Sequence, residues 1–303
     1  MAAAAWIAVD WGTSNLRVWA MDADDRVIAS HTSDQGMGVL ERDGFEAALL
    51  ALIAPYLTSE TALPVICCGM VGSRQGWAEA AYATAPCLPP DGKVATRVAA
   101  QDPRVSVFIL PGVKQLSPPD VMRGEETQIA GFLHRNPDFD GVICLPGTHT
   151  KWARISAGEI VNFQTFMTGE AFALFSEQSV LRHSVTTDAF DADTFAASLA
   201  DAMAHPQALA SQLFGLRAAS LVADLGAAAA RSRLSGLLIG AELAAARPYW
   251  LGQNVAIIGA STLAGLYRTG LEAQGLSITL AEVEDMTLSG LIAAHHSLKE
   301  VTT

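Results

Sequence analysis

The chain has 303 residues, half of them hydrophobic and 17% charged, with a formal net charge of -12 at pH 7 and a pI near 4.9. Such a length buries a substantial core in one large or two moderate domains, and the composition excludes a disordered chain. The acidic balance argues against a nucleic-acid or anionic-membrane partner, so a small anionic substrate needs locally placed cations.

Residues 6–21 read Trp-Ile-Ala-Val-Asp-Trp-Gly-Thr-Ser-Asn-Leu-Arg-Val-Trp-Ala-Met. Two apolar runs rich in β-branched and aromatic residues flank a polar turn, which predicts two antiparallel strands joined at Gly12, Thr13, Ser14 and Asn15. Asp10 ends an apolar strand, where a carboxylate calls for a cation or a ring of donors; Mg2+ meets that need. Gly12 admits close backbone approach, and the three polar residues after it complete a cup suited to phosphate oxygens. An ordinary hairpin closed by Asp and Thr is the alternative for this stretch taken alone.

A helix is expected over 45–57 and a buried strand over 64–70. The strand leads into Gly69-Met-Val-Gly-Ser-Arg-Gln-Gly-Trp, where Gly72, Ser73, Arg74 and Trp77 form a candidate substrate loop, because α/β sheets bind ligands beyond their carboxyl edges. A tight loop with a stacking Trp is the plain alternative. Residues 80–101 carry no clear pattern, 105–110 form another strand, and Leu116-Ser-Pro-Pro-Asp is expected to be an extended connector between domains 1–117 and 118–303.

An acidic helix start follows, Asp120-Val-Met-Arg-Gly-Glu-Glu-Thr-Gln. Glu125 and Glu126 suit the positive end of a helix dipole, and a carboxylate there is placed to take a proton from an alcohol. Residues 142–155, Val-Ile-Cys-Leu-Pro-Gly-Thr-His-Thr-Lys-Trp-Ala-Arg-Ile, then repeat the apolar strand, Gly-Thr turn and Trp/Arg strand of the first hairpin. A third strand follows each copy, near 26–31 and 159–165. Such a duplication predicts two similar halves facing one another.

Helices are expected over 166–182, 193–203, 207–214, 218–233 and 234–246, the last with glycines spaced to admit another helix or a flat ligand. Residues 254–267 predict a strand, a Gly259-Ala260-Ser261 turn and a helix whose N-terminus can meet a nucleotide. A strand at 277–283 and a helix at 288–299 finish the chain. Cys67, Cys68, Cys87 and Cys144 form no Cys-x-x-Cys pair and are expected as thiols in a reducing cytosol. No secretory signal and no bilayer-spanning run is expected.

Six segments in this order resemble the 2-dehydro-3-deoxygalactonokinase family of the sugar kinase, Hsp70 and actin superfamily: Val9-Asp-Trp-Gly-Thr-Ser-Asn-Leu-Arg, Gly69-Met-Val-Gly-Ser, Met122-Arg-Gly-Glu-Glu-Thr-Gln, Pro146-Gly-Thr-His-Thr-Lys-Trp, Met167-Thr-Gly-Glu and Ser235-Gly-Leu-Leu-Ile-Gly-Ala-Glu. The resemblance implies two ribonuclease-H-like α/β domains facing across a cleft. It also implies ATP-dependent phosphorylation of the 6-hydroxyl of 2-keto-3-deoxygalactonate in galactonate breakdown, in the cytoplasm. Asp10 would position hydrated Mg2+, Gly12 to Asn15 would hold terminal phosphates, and Gly147, Thr148, His149 and Thr150 would grip them from the facing domain. Gly259, Ala260 and Ser261 would contact the adenosine. Many related kinases carry a catalytic Asp where this chain has Glu125 and Glu126, so Glu125 is the first candidate base, Glu126 the second and Asp120 the third.

Arg17, Arg74 and Arg123 are candidate holders of the sugar acid's carboxylate, since Arg grips a carboxylate through two parallel bonds; surface or interdomain salt bridges are the alternative. Lys151 is not a Walker lysine, because no Gly-x-x-x-x-Gly-Lys surrounds it. A phosphoanhydride hydrolase and a non-catalytic nucleotide-binding module of the same fold are the rival functions. The Gly-rich loop and the Arg-Gly-Glu-Glu helix start favour the kinase.

Overall fold

The computed structural model describes residues 4–58 and 61–302. They group into two compact units that a single cut does not separate. Met1–Phe139, Ile155–Asn162 and Val283–Thr303 form the first, and Asp140–Arg154 with Phe163–Glu282 the second.

The first unit opens with β1 (Trp6–Trp11), β2 (Leu16–Met21) and β3 (Val27–Ser33), an antiparallel meander as the alternation of its residues predicts. After α1 (Gly44–Ile53), β4 (Leu63–Gly69) joins β1 in parallel. The short β5 (Ala83–Thr84) and β6 (Thr96–Arg97) precede β7 (Val105–Ile109), which lies parallel to β4. The sheet order is β3-β2-β1-β4-β7-β6. Strands β1 and β4 are apolar on both faces because both are covered. Ile7, Val9 and Trp11 pack towards Phe45, Leu49 and Ile53 of α1, while Trp6, Ala8, Ile66 and Cys68 pack against Leu291 and Ala294 near the C-terminus.

The stretch expected to be an interdomain connector is instead a hairpin. β8 (Val113–Leu116) and β9 (Pro119–Met122) pair antiparallel, with Leu116 opposite Pro119 and Gln115 opposite Asp120. Gln115 Nε2 donates to Pro118 O at 2.9 Å across the bend. The two prolines read as a linker, yet they sit at the turn, where no ladder donor is required. Asp120 is accordingly a strand residue. The helix it was expected to start is α2 (Glu125–Arg135), which begins after Gly124.

The second unit repeats the plan. β10 (Gly141–Leu145), β11 (Thr150–Ser156) and β12 (Glu159–Phe166) follow one another through short turns. α3 (Thr168–Ala173) passes into a π-helical turn, so the helix expected over 166–182 is broken. α4 (Ala192–Ala204) and α5 (Leu209–Val222) precede α6 (Ala227–Ala245), one long helix where two were expected. Its glycines admit a helix, not a flat ligand: a Cβ at Gly236 would stand 2.5 Å from Phe195 O, and one at Gly240 would strike Leu199 O, both on α4. The short α7 (Arg247–Trp250) leads to β13 (Val255–Gly259), α8 (Ser261–Glu272) and β14 (Ile278–Glu282). The order β12-β11-β10-β13-β14, with β10, β13 and β14 parallel, matches that of the first five strands of the other sheet. Both units are therefore ribonuclease-H-like.

The chain returns to the first unit in α9 (Val283–Thr302), which starts earlier than residue 288. It crosses α2 at contact distance because Gly131 and Gly290 lack side chains; a Cβ on either would run into Met286 O or Thr127 O. Asp25, in the β2–β3 turn, anchors its far end by accepting from Trp6 Nε1 at 2.8 Å and bonding His296 Nε2 at 2.5 Å. These contacts keep 118–139 and the last helix with the first unit, so the compact grouping does not follow the division at residue 117.

Candidate active site

In the first unit, Asp10 is the penultimate residue of β1 with Arg17 as its cross-strand neighbour, and Arg17 Nη1 lies 3.1 Å from Asp10 Oδ2. Cys68 Sγ is 3.8 Å from the other carboxylate oxygen. Burial pushes the Asp10 pKa up, Arg17 opposes that shift, and the negative charge of Glu125 adds to it. Glu125 is close enough for that coupling because two glycines let β4 and α2 meet. Gly69 has φ +88° and Gly124 φ +109°, and a Cβ on Gly124 would lie 3.4 Å from Gly69 Cα. A Cβ on Gly69 would lie 2.6 Å from Trp11 O, so only glycine fits there.

The two candidate bases differ in access. Glu126 is 1% exposed, and both its oxygens accept from Gly124 N at 2.8 Å, with Thr127 Oγ1 at 3.3 Å. Its carboxyl closes the start of α2, and burial, reinforced by Glu125, raises its pKa to about 7. Glu125 is half-buried, and its Oε2 accepts from Arg123 N at 3.0 Å. Of the pair, Glu125 is the one a substrate can reach.

The turn after Asp10 is braced from behind. Gly12 N donates to Asn15 O at 2.9 Å, while Met37 N and Gly38 N donate to Gly12 O and Thr13 O at 3.0 and 2.8 Å. Gly36 lies so close that a Cβ would strike Thr13 O and Ser14 C. Thr13, Ser14 and Asn15 remain exposed.

The three candidate arginines separate. Arg17 is committed to Asp10, and Arg74 is exposed, 3.7 Å from Glu79. Arg123 lies across the Tyr82 ring, 4.2 Å from its centroid, with Nη2 donating to Ala80 O at 2.8 Å. Arg123 Nη1 and the neighbouring Ser73 Oγ are buried and have no hydrogen-bond partner among the described residues. A Cβ on Gly72 would approach that same Nη1 to 2.8 Å. Unpaired buried donors of this kind call for a partner. Trp77 is buried edge-on to Trp11, 6.3 Å between ring centroids, so its ring serves the core.

In the second unit, the Gly147 to Thr150 turn is clasped by the start of α3. Gly169 abuts Gly147 O and Thr148 Cα too closely for any Cβ, Glu170 N donates to Thr148 O at 2.9 Å, and His149 Nε2 meets Glu170 Oε2 at 2.5 Å. Thr150 is buried, its hydroxyl 3.0 Å from Tyr267 Oη. Lys151 is buried too, with Nζ 3.3 Å from His149 O. Gly147 and Thr148 line a cavity of about 630 Å³ whose walls include Phe172, Phe190, Leu238, Leu263 and Leu266. Arg231 stands 5.0 Å over Phe172 inside it. A concave, largely apolar chamber with a glycine-threonine turn in its wall suits an aromatic heterocycle carrying phosphates.

The Gly259 turn packs against Pro146, 3.4 Å from a Cβ built on it, but the cavity wall begins one step later, at Thr262. Phe172, Phe190 and Arg231 were not singled out from the sequence. The Met167-Thr-Gly-Glu motif lies just before Phe172 and was the signal that could have led there.

Duplicated ribonuclease-H-like units, each with a glycine-threonine turn after its first strand, define a protein of the sugar kinase, Hsp70 and actin superfamily. Its place within that class comes from comparison. The family model described as 2-keto-3-deoxy-galactonokinase matches residues 10–294, and the chain belongs to that family. It is 38% identical to a probable 2-dehydro-3-deoxygalactonokinase of Rhizobium meliloti (strain 1021), over 97% of each chain. It is 32% identical to the 2-dehydro-3-deoxygalactonokinase of Escherichia coli (strain K12), over 97% of this chain and 99% of that one. A crystal structure of a Sinorhizobium meliloti protein assigned as a 2-dehydro-3-deoxygalactonokinase superposes with a TM-score of 0.91 at 37% identity, covering 97% of this chain and 99% of the other.

Proposed function

We propose that this protein transfers the terminal phosphoryl group of ATP to the 6-hydroxyl of 2-dehydro-3-deoxy-D-galactonate, a step in galactonate catabolism. Family membership over residues 10–294 supports the ATP-dependent kinase reading over a hydrolase or a silent nucleotide-binding module. The observation that carries the chemistry is the approach of Gly124, at the start of α2, to Gly69, at the end of β4, with the reachable carboxylate of Glu125 within electrostatic reach of Asp10.

Phosphoryl transfer asks the protein mainly for positioning and charge neutralisation, with a carboxylate orienting the attacking hydroxyl. Glu125 takes that part. Arg123 and Ser73, with their unpaired buried donors, are the favoured holders of the sugar acid's polar oxygens. The apolar cavity of the second unit receives the adenosine, and Gly147 and Thr148 in its wall receive phosphates.

Mg2+ fits the donor set. Asp10 and Glu125 repel one another, which a dication relieves. Mg2+ characteristically takes one or two carboxylates and otherwise water and phosphate oxygens. Asp10 would hold it, and the ion would supply charge neutralisation at the phosphates. No helix among the described residues is long and apolar enough to cross a membrane, and the four cysteines are free thiols.

The test is ADP release from ATP and magnesium across a panel of 2-keto-3-deoxy sugar acids. Release dependent on the galacto acid is expected. Equal release without any sugar acid would replace the kinase with a hydrolase.

A further inference from the structure

A buried carboxylate lies beneath the second unit's turn, and the mechanism above does not use it. Glu242, on α6, is 4% exposed. Trp152 Nε1 donates to its Oε1 at 2.8 Å and Tyr267 Oη to its Oε2 at 2.8 Å. The hydroxyls of Thr168 and Thr150 also bond to it, and these donors oppose the upward pKa shift that burial imposes. Burial, with the Glu242 charge adding to it, keeps the Tyr267 phenol protonated and therefore a donor.

Proton accounting fixes the directions. Indole nitrogen only donates, and each hydroxyl has one proton. With Glu242 ionised, Tyr267 spends its proton on the carboxylate. The proton of Thr150 then goes to Tyr267 Oη, 3.0 Å away, or to Glu242 itself. In either case the Thr150 hydroxyl faces inward as an anchor for its turn and has no proton left for a phosphate.

The four donors come from the elements that frame the cavity. Thr150 and Trp152 open β11 directly after the turn, Thr168 precedes the Gly169 that abuts Gly147 and Thr148, and Tyr267 stands on α8 with Leu263 and Leu266. Thr168 and Tyr267 themselves line the chamber. Burying a charge merely to cross-link helices is an inefficient route to stability, because well-packed apolar residues commonly do as well or better. Its four donors, drawn from turn and wall alike, point to a role in fixing their relative geometry.

We propose that Glu242 is a positioning residue for the nucleotide, holding the 147–150 turn and the cavity wall in the arrangement that receives the phosphates without touching the nucleotide itself. This rests on the reading of the cavity as the nucleotide site. The test is ADP binding by calorimetry on the full chain, with Glu242→Gln and Tyr267→Phe, alongside each protein's thermal midpoint and the separate KM values for ATP and sugar acid. A Gln amide turned towards Tyr267 donates where the carboxylate accepted, which reverses the hydroxyl chain; Phe removes the link while keeping the ring.

ADP affinity is expected to fall roughly tenfold in Glu242→Gln, the factor that ~1.4 kcal/mol makes. Tyr267→Phe should shift it in the same direction by less, with KM for ATP rising and KM for the sugar acid within twofold. ADP binding within twofold of wild type in folded variants, even with a lowered midpoint, would leave Glu242 a purely structural group and overturn the proposal. If Glu242→Gln does not fold, Tyr267→Phe decides alone. A wild-type protein that fails to bind ADP would overturn the nucleotide reading of the cavity, and this inference with it.

Discussion

Replacing Glu125 with Gln separates catalysis from folding more sharply than any other single change at the site. The carboxylate has a structural task, accepting from Arg123 N at 3.0 Å at the start of α2. A Gln carbonyl of the same reach can keep that bond. What stability loses is the favourable placement of a negative charge at a helix N-terminus, about 0.3–1 kcal/mol. In its proposed role the reaction loses the group that orients and deprotonates the attacking hydroxyl, a factor of roughly 10²–10⁴ in rate, or about 3–5 kcal/mol of barrier. The catalytic effect therefore exceeds the structural one several-fold, and the variant should be folded and slow. Binding should not suffer at Asp10, because the charge of Glu125 is one of the influences raising its pKa and Gln removes it. The assay is coupled ADP release at saturating sugar acid, with KM for ATP measured in parallel and the thermal midpoint checked. A kcat within threefold of wild type would remove Glu125 from the mechanism. The same loss appearing only in Glu126→Gln would move the base to the buried neighbour.

Glu126 predicts a pH signature of its own. Its folded pKa of about 7 lies above the ordinary value of 4.5, so the folded state holds the proton more tightly. The resulting stability is fully present below about pH 4.5 and is lost as pH rises through 7, up to about 3 kcal/mol in all. Glu126→Gln should flatten the thermal midpoint between pH 4.5 and 8 and raise it at the alkaline end; an unchanged slope would count against the assignment. Gly169→Ala places a methyl against Gly147 O and Thr148 Cα, so the turn must move. KM for ATP should rise about tenfold while KM for the sugar acid stays within twofold, since a displacement of about 1 Å near reacting groups can cost that much or more. Unaltered ATP kinetics would mean the turn does not meet the nucleotide.

The strands were the legible part of the fold. Apolar runs bounded by Gly and Asn announced β1, β2, β10 and β11 within a residue or so, and the repeated Gly-Thr turn announced the duplication. Long-range packing was not legible. Pro118 and Pro119 carry the local signature of a linker, and only the pairing of β8 with β9 makes them a hairpin. The union of α2 with α9 depends on Gly131 and Gly290, more than 150 residues apart, each unremarked until its facing backbone is known. At the site, Asp10 and Glu125 could be named as residue types at strand and helix ends. Their proximity could not, because it passes through Gly69 and Gly124, whose positive φ values are visible only in the folded chain. The cavity was the hardest part: Phe172, Phe190 and Leu263 lie on three separate segments, and aromatic and aliphatic residues at such positions read as ordinary core.

The duplication also bears on the different chemistry proposed for the two similar hairpins. Each unit places a glycine-threonine turn after its first strand, but what braces the turn differs. In the first unit a loop backs it, Gly36 and Gly38 packing on its carbonyl side. The carboxylates gather at its flank, where β4 ends and α2 begins at a glycine. In the second, a helix start backs it, and the flank is filled by the hydroxyls and indole that converge on Glu242. One turn is thereby set among acidic groups suited to a metal ion and an alcohol. The other lines an apolar chamber, which suits a nucleotide base. Because the sheet order is common to both, this division of labour resides in the elements that follow the third strand of each unit, and substitutions there should alter one ligand's kinetics without the other's.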